Sequence, residues 1–137
     1  MDAWEELVLQ YFTFQRPLLF INPNYLIPDD PKLPDFVVLN FKQKIVSIVE
    51  VNAGVSLGKL KAKARYLEMK YTPKLKALLQ DNSVVDDSWK YVLEFFLDPR
   101  MLEKFEQNLG LDVKPCVHSL EEVLPWKLKW PRPDRPT

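Results

Sequence analysis

The chain has 137 residues and no net charge, because 19 Lys and Arg balance 19 Asp and Glu. That length suits one domain, and the neutral balance excludes a wholly basic nucleic-acid coat while allowing a local basic face. One cysteine and one histidine exclude an internal disulfide, a cysteine zinc cage and a multi-histidine metal centre. With only three glycines, the chain has no GxGxxG or P-loop phosphate-binding sequence.

The sequence carries no sign of a membrane segment. No stretch comes near the ~20 consecutive apolar residues of a membrane span. The N-terminus is acidic and lacks a signal-peptide pattern. We therefore expect a cytoplasmic protein without membrane contact.

The first half of the chain predicts one helix followed by a strand hairpin. A helix is expected over 2–15, where apolar residues recur at helical spacing. Residues 18–27 have the character of a strand that a turn at 22–24 interrupts. Strands over 35–41 and 45–52 flank a short polar turn, and their β-branched residues favour a buried hairpin.

The second half alternates helices with strands. A basic amphipathic helix is expected over 57–71, and a first-turn proline begins a separate helix over 73–80. A strand over 89–97, a helix over 100–109 and a short strand over 113–118 follow. This order predicts an α/β (α+β) fold, with a small central mixed β-sheet flanked by helices.

Three features near the end of the last strand have structural interpretations. Ser119 and Glu122 have the spacing of a capping box. Cys116 is expected to be a small buried hydrophobe. His118 is expected to be a packing or surface residue rather than a catalytic base.

We expect residues 1–124 to form the single domain and residues 125–137 a proline-rich basic tail. The tail interleaves Trp126 and Trp130 with basic residues, so it could extend a surface that binds a nucleic-acid backbone, or dock a partner. A disordered terminus is the alternative.

Two carboxylates stand at matching ends of the predicted hairpin. Asp35 begins the first strand, and Glu50 lies near the end of the second. Antiparallel pairing about Gln43 brings these ends together, and Asn52 projects to the same side as Glu50 because strand side chains alternate. The sequence therefore predicts two converging carboxylates at one end of a sheet.

Converging carboxylates beside a backbone carbonyl suit Mg²⁺ or Mn²⁺. We expect Asp35, Glu50 and the Val51 carbonyl to hold the ion. Glu5 or Glu6 of the first helix could supply a further ligand, and we take Glu6 as the accessory ligand. The alternative is structural: Asp35 is a simple turn residue and Glu50 pairs with a lysine.

The segment PDFVVLNFKQKIVSIVEVN resembles the motif of the PD-(D/E)xK nuclease superfamily, whose fold is called restriction-endonuclease-like. That motif is Pro-Asp, a hydrophobic strand, a turn, a second hydrophobic strand and Glu-x-Lys. The order of the surrounding elements is also similar, over roughly residues 2–124. The resemblance implies a restriction-endonuclease-like fold and metal-dependent hydrolysis of DNA phosphodiester bonds, with Asp35 and Glu50 as metal ligands.

The chain departs from this motif at Asn52, where the family has its lysine. In the family that lysine orients or deprotonates the attacking water and offsets developing charge, whereas asparagine is neither a cation nor a useful base at neutral pH. Asn52 could be a working catalytic variant, or Lys59 or Lys63 of the next helix could supply the ammonium. A third alternative is a disabled centre that leaves a binding module.

A basic surface is expected beside this site. Residues 42–76 include nine Lys or Arg and two acidic residues. Such a surface attracts phosphates, so we expect it to bind nucleic acid, with DNA favoured. The predicted contacts are Lys42, Lys44, Lys59, Lys63 and Lys70. An ordinary solvated helix surface is the alternative.

Together these patterns predict a metal-dependent endodeoxyribonuclease that uses Mg²⁺ or Mn²⁺. A domain this short leaves little room for sequence reading, so specificity would come from DNA structure, a homodimer or a partner subunit. One alternative is a catalytically inactive nuclease-fold subunit that binds nucleic acid or a protein partner. Another is an unrelated α/β domain in which the motif is accidental.

Overall fold

The computed structural model describes residues 3–13, 18–54, 56–107, 109–112 and 114–123. The tail predicted over 125–137 lies outside these residues. Within them, no helix is long and apolar enough to cross a membrane.

The described residues contain five strands and five α-helices. The strands are β1 (Leu18–Ile21), β2 (Phe36–Asn40), β3 (Ile45–Asn52), β4 (Lys90–Leu97) and β5 (Cys116–Ser119). The helices are α1 (Ala3–Thr13), α2 (Pro23–Leu26), α3 (Leu57–Tyr66), α4 (Thr72–Asp81) and α5 (Leu102–Glu106). A π-helical turn (Leu67–Tyr71) joins α3 to α4, and 3₁₀ turns cover Pro99–Met101 and Leu120–Val123.

The strands form one mixed sheet in the order β1-β2-β3-β4-β5. β1, β2 and β3 pair antiparallel, whereas β3, β4 and β5 pair parallel. Phe36 stands opposite Val49 and Asn40 opposite Ile45, which confirms the predicted hairpin. A mixed sheet with flanking helices also confirms the predicted α+β class.

The strand-like segment 18–27 leaves the sheet earlier than predicted. β1 ends at Ile21, and the Asn22 side chain accepts the Asn24 N–H at 2.9 Å. This cap begins the short helix α2, which has Pro23 in its first turn. The predicted interruption is therefore the end of the strand.

One face of the sheet packs against the helical segment 57–81. Val37, Ile48 and Phe95 of the strands form a core with Leu60 and Leu67 of this segment. The apolar side of this helical segment packs into the core, at Leu57, Leu60, Ala64, Leu67 and Tyr71. Alternate residues of β4 face the same core, at Tyr91, Leu93 and Phe95, and Trp89 just before the strand joins them.

The other face of the sheet packs against α1. Val8 and Phe12 form a second core with Val49, Phe96 and Leu120. The rings of Phe12 and Phe96 meet edge to face, with centroids 5.8 Å apart. Because α1 and α3 pack on opposite faces of the sheet, side chains from both helices can contact residues at the ends of the strands.

The helix predicted over 57–71 does not stop there but continues into α4 through the π turn. The Leu67 carbonyl accepts both the Thr72 N–H and the Thr72 hydroxyl, the latter at 2.7 Å. Pro73 has no N–H for the α-helical ladder, and the wider turn accommodates it. The chain therefore forms one interrupted helix over 57–81 rather than two separate ones.

The C-terminal elements are shorter than predicted. A 3₁₀ turn replaces the start of the helix predicted over 100–109, and α5 ends at Glu106. β5 begins only at Cys116, because Pro115 has no N–H to donate to the ladder. Cys116 is exposed on this edge strand, so its prediction as a buried residue was wrong.

The predicted capping box is half formed. Ser119 Oγ accepts the backbone N–H two residues later at 3.1 Å. Glu122 instead contacts His118, with its Oε2 3.0 Å from Nδ1, and Glu94 lies 3.2 Å from Nε2. His118 thus joins β4, β5 and the last 3₁₀ turn, which is a packing role as expected.

Asp30 anchors the loop that leads from α2 into β2. Its buried carboxylate accepts hydrogen bonds from the Tyr66 hydroxyl at 2.7 Å, the Lys74 ammonium at 3.2 Å and the Lys32 N–H at 2.9 Å. Burial opposes ionisation of Asp30, but these bonds outweigh burial and lower its pKa. The loop is thereby tied to the long helix shortly before Asp35.

Candidate active site

β2 and β3 bring Asp35 and Glu50 together at one end of the sheet. Phe36 pairs with Val49, so the preceding Asp35 stands opposite Glu50. The Asp35 N–H donates to the Val49 carbonyl at 3.0 Å, which extends the ladder by one bond. The two carboxylates converge as the hairpin spacing predicted.

The Asp35 carboxylate is held by β3 and approached by other acids. Its Oδ2 accepts the Val51 N–H at 2.7 Å. The Asp35 carboxyl also interacts with the carboxyls of Glu50 and Glu5. Three acidic side chains therefore meet at this end of the sheet: one from β3, one just before β2 and one from α1.

Glu50 is 4% exposed, and its two carboxylate oxygens have different surroundings. Its Oε2 pairs with Lys63 Nζ at 2.5 Å. Its Oε1 is buried and has no hydrogen-bond partner among the described residues. A buried oxygen without a hydrogen-bond partner raises the free energy of the folded state, so a proton or a cation bound to Oε1 would stabilise the protein.

Burial raises the pKa of both carboxyls. Burial raises the pKa of Asp35 to about 7, the charge of Glu50 adds to the shift, and the Val51 N–H opposes it. Burial also raises the pKa of Glu50, against the charge and hydrogen bond of Lys63. The pair therefore holds a proton up to about neutral pH, and a divalent cation can replace it.

α1 presents Glu5 rather than Glu6 to this pair. Glu5 lies three and seven residues before Val8 and Phe12, so it shares the buried face of α1. Glu6 is exposed. Glu5 is therefore the acid of α1 that lies beside Asp35, where we had expected Glu6. The signal that distinguishes the two is which face of α1 carries the apolar residues.

Asn52 is buried at the position where the resemblance implies a lysine. Its Oδ1 accepts the Gly54 N–H at 3.1 Å, which closes the turn after β3. The ammonium beside Glu50 belongs to Lys63, one of the two lysines predicted as substitutes. The other, Lys59, is exposed one turn earlier in α3.

Two carboxylates are ligands of the kind that Mg²⁺ or Mn²⁺ takes. Mg²⁺ binds one or two protein carboxylates and completes its shell with water and substrate phosphate. The Val51 N–H points at Asp35, and because a strand residue directs its N–H and C=O to the same side, the Val51 carbonyl faces this edge too. In the described ranges, no group of three or more acidic, histidine or cysteine side chains has the geometry to hold a metal.

The predicted basic contacts divide between the two ends of the sheet. Lys59 and Lys63 lie on α3, which begins at the carboxylate end, and Lys70 is exposed on the π turn. Lys42 and Lys44 occupy the hairpin turn at the opposite end, where Lys44 Nζ lies 3.4 Å from Ser88 Oγ. Lys63 contacts the carboxylates directly.

We expect the metal-free protein to lose stability as the pH rises from about 4 to about 7. The raised pKa of Asp35 means that folding binds a proton in this window, worth at most about 1.4 kcal/mol per pH unit. Mn²⁺ should offset the loss, so its stabilising thermal shift should grow across the same window. Thermal unfolding with and without Mn²⁺, over a series of pH values, measures both effects.

Titration of His118 changes the stability of the protein in the same direction, so its contribution must be separated from that of Asp35. Burial lowers the pKa of His118, but its contacts with Glu94 and Glu122 outweigh burial and raise it. Its stabilisation is therefore also lost as the pH rises. The Asp35→Asn variant keeps His118, so its difference from the unchanged chain isolates Asp35. An equal Mn²⁺ shift in both proteins at every pH would contradict metal binding by Asp35.

Comparisons of the chain with protein-family models, with curated proteins and with solved structures found no match.

Proposed function

We propose that this protein hydrolyses DNA phosphodiester bonds with Mg²⁺ or Mn²⁺, on a fold of the restriction-endonuclease-like kind. The observation that carries the proposal is the cluster of Asp35, Glu50 and Lys63. It combines two carboxylates of raised pKa, a buried oxygen that lacks a partner and one adjacent ammonium. The similarity of the hairpin to the PD-(D/E)xK motif supports the same function.

Each part of the cluster has a task in this proposal. Asp35, Glu50 and the Val51 carbonyl would hold the ion. The bound ion would polarise a phosphoryl oxygen and activate a water as the nucleophile. Lys63 would stabilise the negative charge that develops on the phosphate, and Lys59 would contact a neighbouring phosphate.

A catalytically inactive subunit of the same fold is the second candidate. Two observations favour it: Asn52 Oδ1 accepts the Gly54 N–H, and Lys63 already neutralises Glu50 at 2.5 Å. In this function the ion pair is structural, and the chain binds nucleic acid or a protein partner without cutting. A homodimer is compatible with either candidate, and in the catalytic one it would supply two centres for two strands.

Cleavage of supercoiled plasmid and branched DNA with Mn²⁺ or Mg²⁺ separates the candidates. We expect the unchanged chain to cut and EDTA to stop it. If only the Asn52→Lys variant cuts, the site binds metal but the unchanged chain is the inactive subunit. If neither protein cuts and Mn²⁺ gives no thermal shift, the catalytic function is refuted and the inactive subunit is the candidate that stands.

A further inference from the structure

A cleft of about 460 Å³ opens where β3, β4 and β5 end. Its walls follow these strands in the chain, with Trp4 of α1 added, and include Ala53, Asp98, Arg100, Leu120 and Glu121. In open α/β sheets, ligands bind outside the carboxyl ends of the parallel strands. The volume is also within the range of small-ligand sites.

Two residues that line the cleft are close in the chain to residues of the carboxylate site. Trp4 lines the cleft, and the next residue, Glu5, contacts Asp35. Ala53 lines it three residues after Glu50. A group bound in the cleft would therefore lie beside a group held at the carboxylates.

The charges of the cleft do not suit a phosphate. The Arg100 guanidinium donates to both oxygens of Asp98, at 3.0 and 2.8 Å, so its charge is already neutralised. Glu121 adds a negative charge. Trp4 and Leu120 supply apolar surface, and the indole is held against the second core. Of the parts of a nucleotide, a base therefore suits these walls better than a phosphate.

We propose that the cleft binds an unpaired nucleobase next to the scissile phosphate, stacked on the Trp4 indole. This inference rests on the proposed function, because the neighbouring phosphate must lie at the carboxylates. The helix that carries Lys63 and the helix that carries Trp4 pack on opposite faces of the sheet. A strand that crosses the edge thus directs its phosphate to the lysine and its base to the tryptophan.

This arrangement defines a substrate class. The bases of a continuous duplex are stacked and paired inside the helix, and removing one has a free-energy cost. A base that is already unpaired reaches the cleft without that cost. The preferred substrate is therefore single-stranded, flapped or branched DNA.

Fluorescence anisotropy with a labelled DNA oligonucleotide tests the inference, with Ca²⁺ to hold the strand at the carboxylates. We expect the single strand to bind about 10-fold more tightly than the duplex of the same sequence. Trp4→Ala should weaken single-strand binding by about 10-fold and duplex binding by less than about twofold. Trp4→Phe should retain most of the affinity, since it keeps an aromatic face.

Two controls keep the test independent of folding. Trp89→Phe changes a tryptophan at the far end of the sheet and should alter neither affinity. Replacing one base by an abasic site should weaken binding to the unchanged protein at one position of the oligonucleotide only. This second control needs no protein variant.

The outcomes distinguish this inference from the proposed function. The base site is refuted if Trp4→Ala weakens binding of single-stranded and duplex DNA equally, or if it weakens neither. This conclusion holds even when plasmid cleavage is observed. Equal affinity for the two DNA forms refutes the base site as well. If the single-strand preference depends on Trp4 but no protein cuts DNA, the base site stands and the catalytic function is refuted.

Discussion

Asp35→Asn is expected to lower metal-dependent cleavage by about 1,000-fold while the protein stays folded. In the unchanged chain the Val51 N–H donates to Asp35 Oδ2 at 2.7 Å. Asparagine keeps an oxygen that can accept this hydrogen bond, so the backbone pairing of β2 with β3 is preserved at this end. The variant removes one of the two charges that hold the ion. Because it also removes repulsion with Glu50, the metal-free variant should unfold at a higher temperature than the unchanged chain above about pH 7.

Plasmid cleavage and thermal unfolding of the same preparations measure both effects. Asp29→Asn is the matched control, since Asp29 is exposed in the loop before β2 and should change neither quantity. Unchanged cleavage by Asp35→Asn would remove the carboxylate pair from the reaction. A loss of cleavage together with unfolding would mean that Asp35 is a structural residue.

Lys63→Met is expected to destabilise the metal-free protein by about 2 kcal/mol at about pH 8. The variant leaves the buried Glu50 carboxylate without its ammonium, and the 28% exposure of the Lys63 side chain keeps the loss below that of a fully buried pair. The pKa of Glu50 is already raised by burial, so Glu50 takes up a proton as the pH falls and the loss should shrink. Mn²⁺ should restore part of the stability, because the ion replaces the ammonium.

Denaturant unfolding at two pH values, with and without Mn²⁺, gives these differences, and cleavage should fall by about 100-fold. Lys59→Met is the control, because Lys59 is exposed one turn away and should cost less than about 0.5 kcal/mol. The double variant Asn52→Lys/Lys63→Met tests whether the ammonium can return to the motif position and restore cleavage. Full activity and stability in Lys63→Met would contradict a role for the ion pair in either property.

The antiparallel part of the fold could be predicted because its determinants are local. Two β-branched runs separated by a short polar turn can pair in only a few ways, and that register brings Asp35 opposite Glu50. The parallel pairing of β3 with β4, and of β4 with β5, has no such signal. It depends on how the helices between these strands pack, and no short segment encodes that packing.

The remaining site residues needed three-dimensional information for specific reasons. Lys59 and Lys63 are equally basic in the sequence, and only the position of α3 on the sheet selects Lys63. Glu5 and Glu6 differ by one helical position, so the accessory carboxylate depends on which side of α1 is buried. The cleft beside Trp4 is built from three loops that are distant in the chain, and their meeting follows only from the parallel strands.

The π turn keeps the apolar residues of the long helix facing the sheet. Leu79 comes 19 positions after Leu60, and in a regular α-helix that separation rotates it about 100° away from Leu60. One extra residue in the π turn cancels about one residue of rotation, so Leu75 and Leu79 stay buried in line with Leu60. Shortening the turn by one residue would make a more regular helix and rotate α4 off the core. A regular α-helix would need one residue fewer in this turn, whereas packing of Leu75 and Leu79 against the sheet needs the extra residue. The fold keeps the packing at the expense of helix regularity.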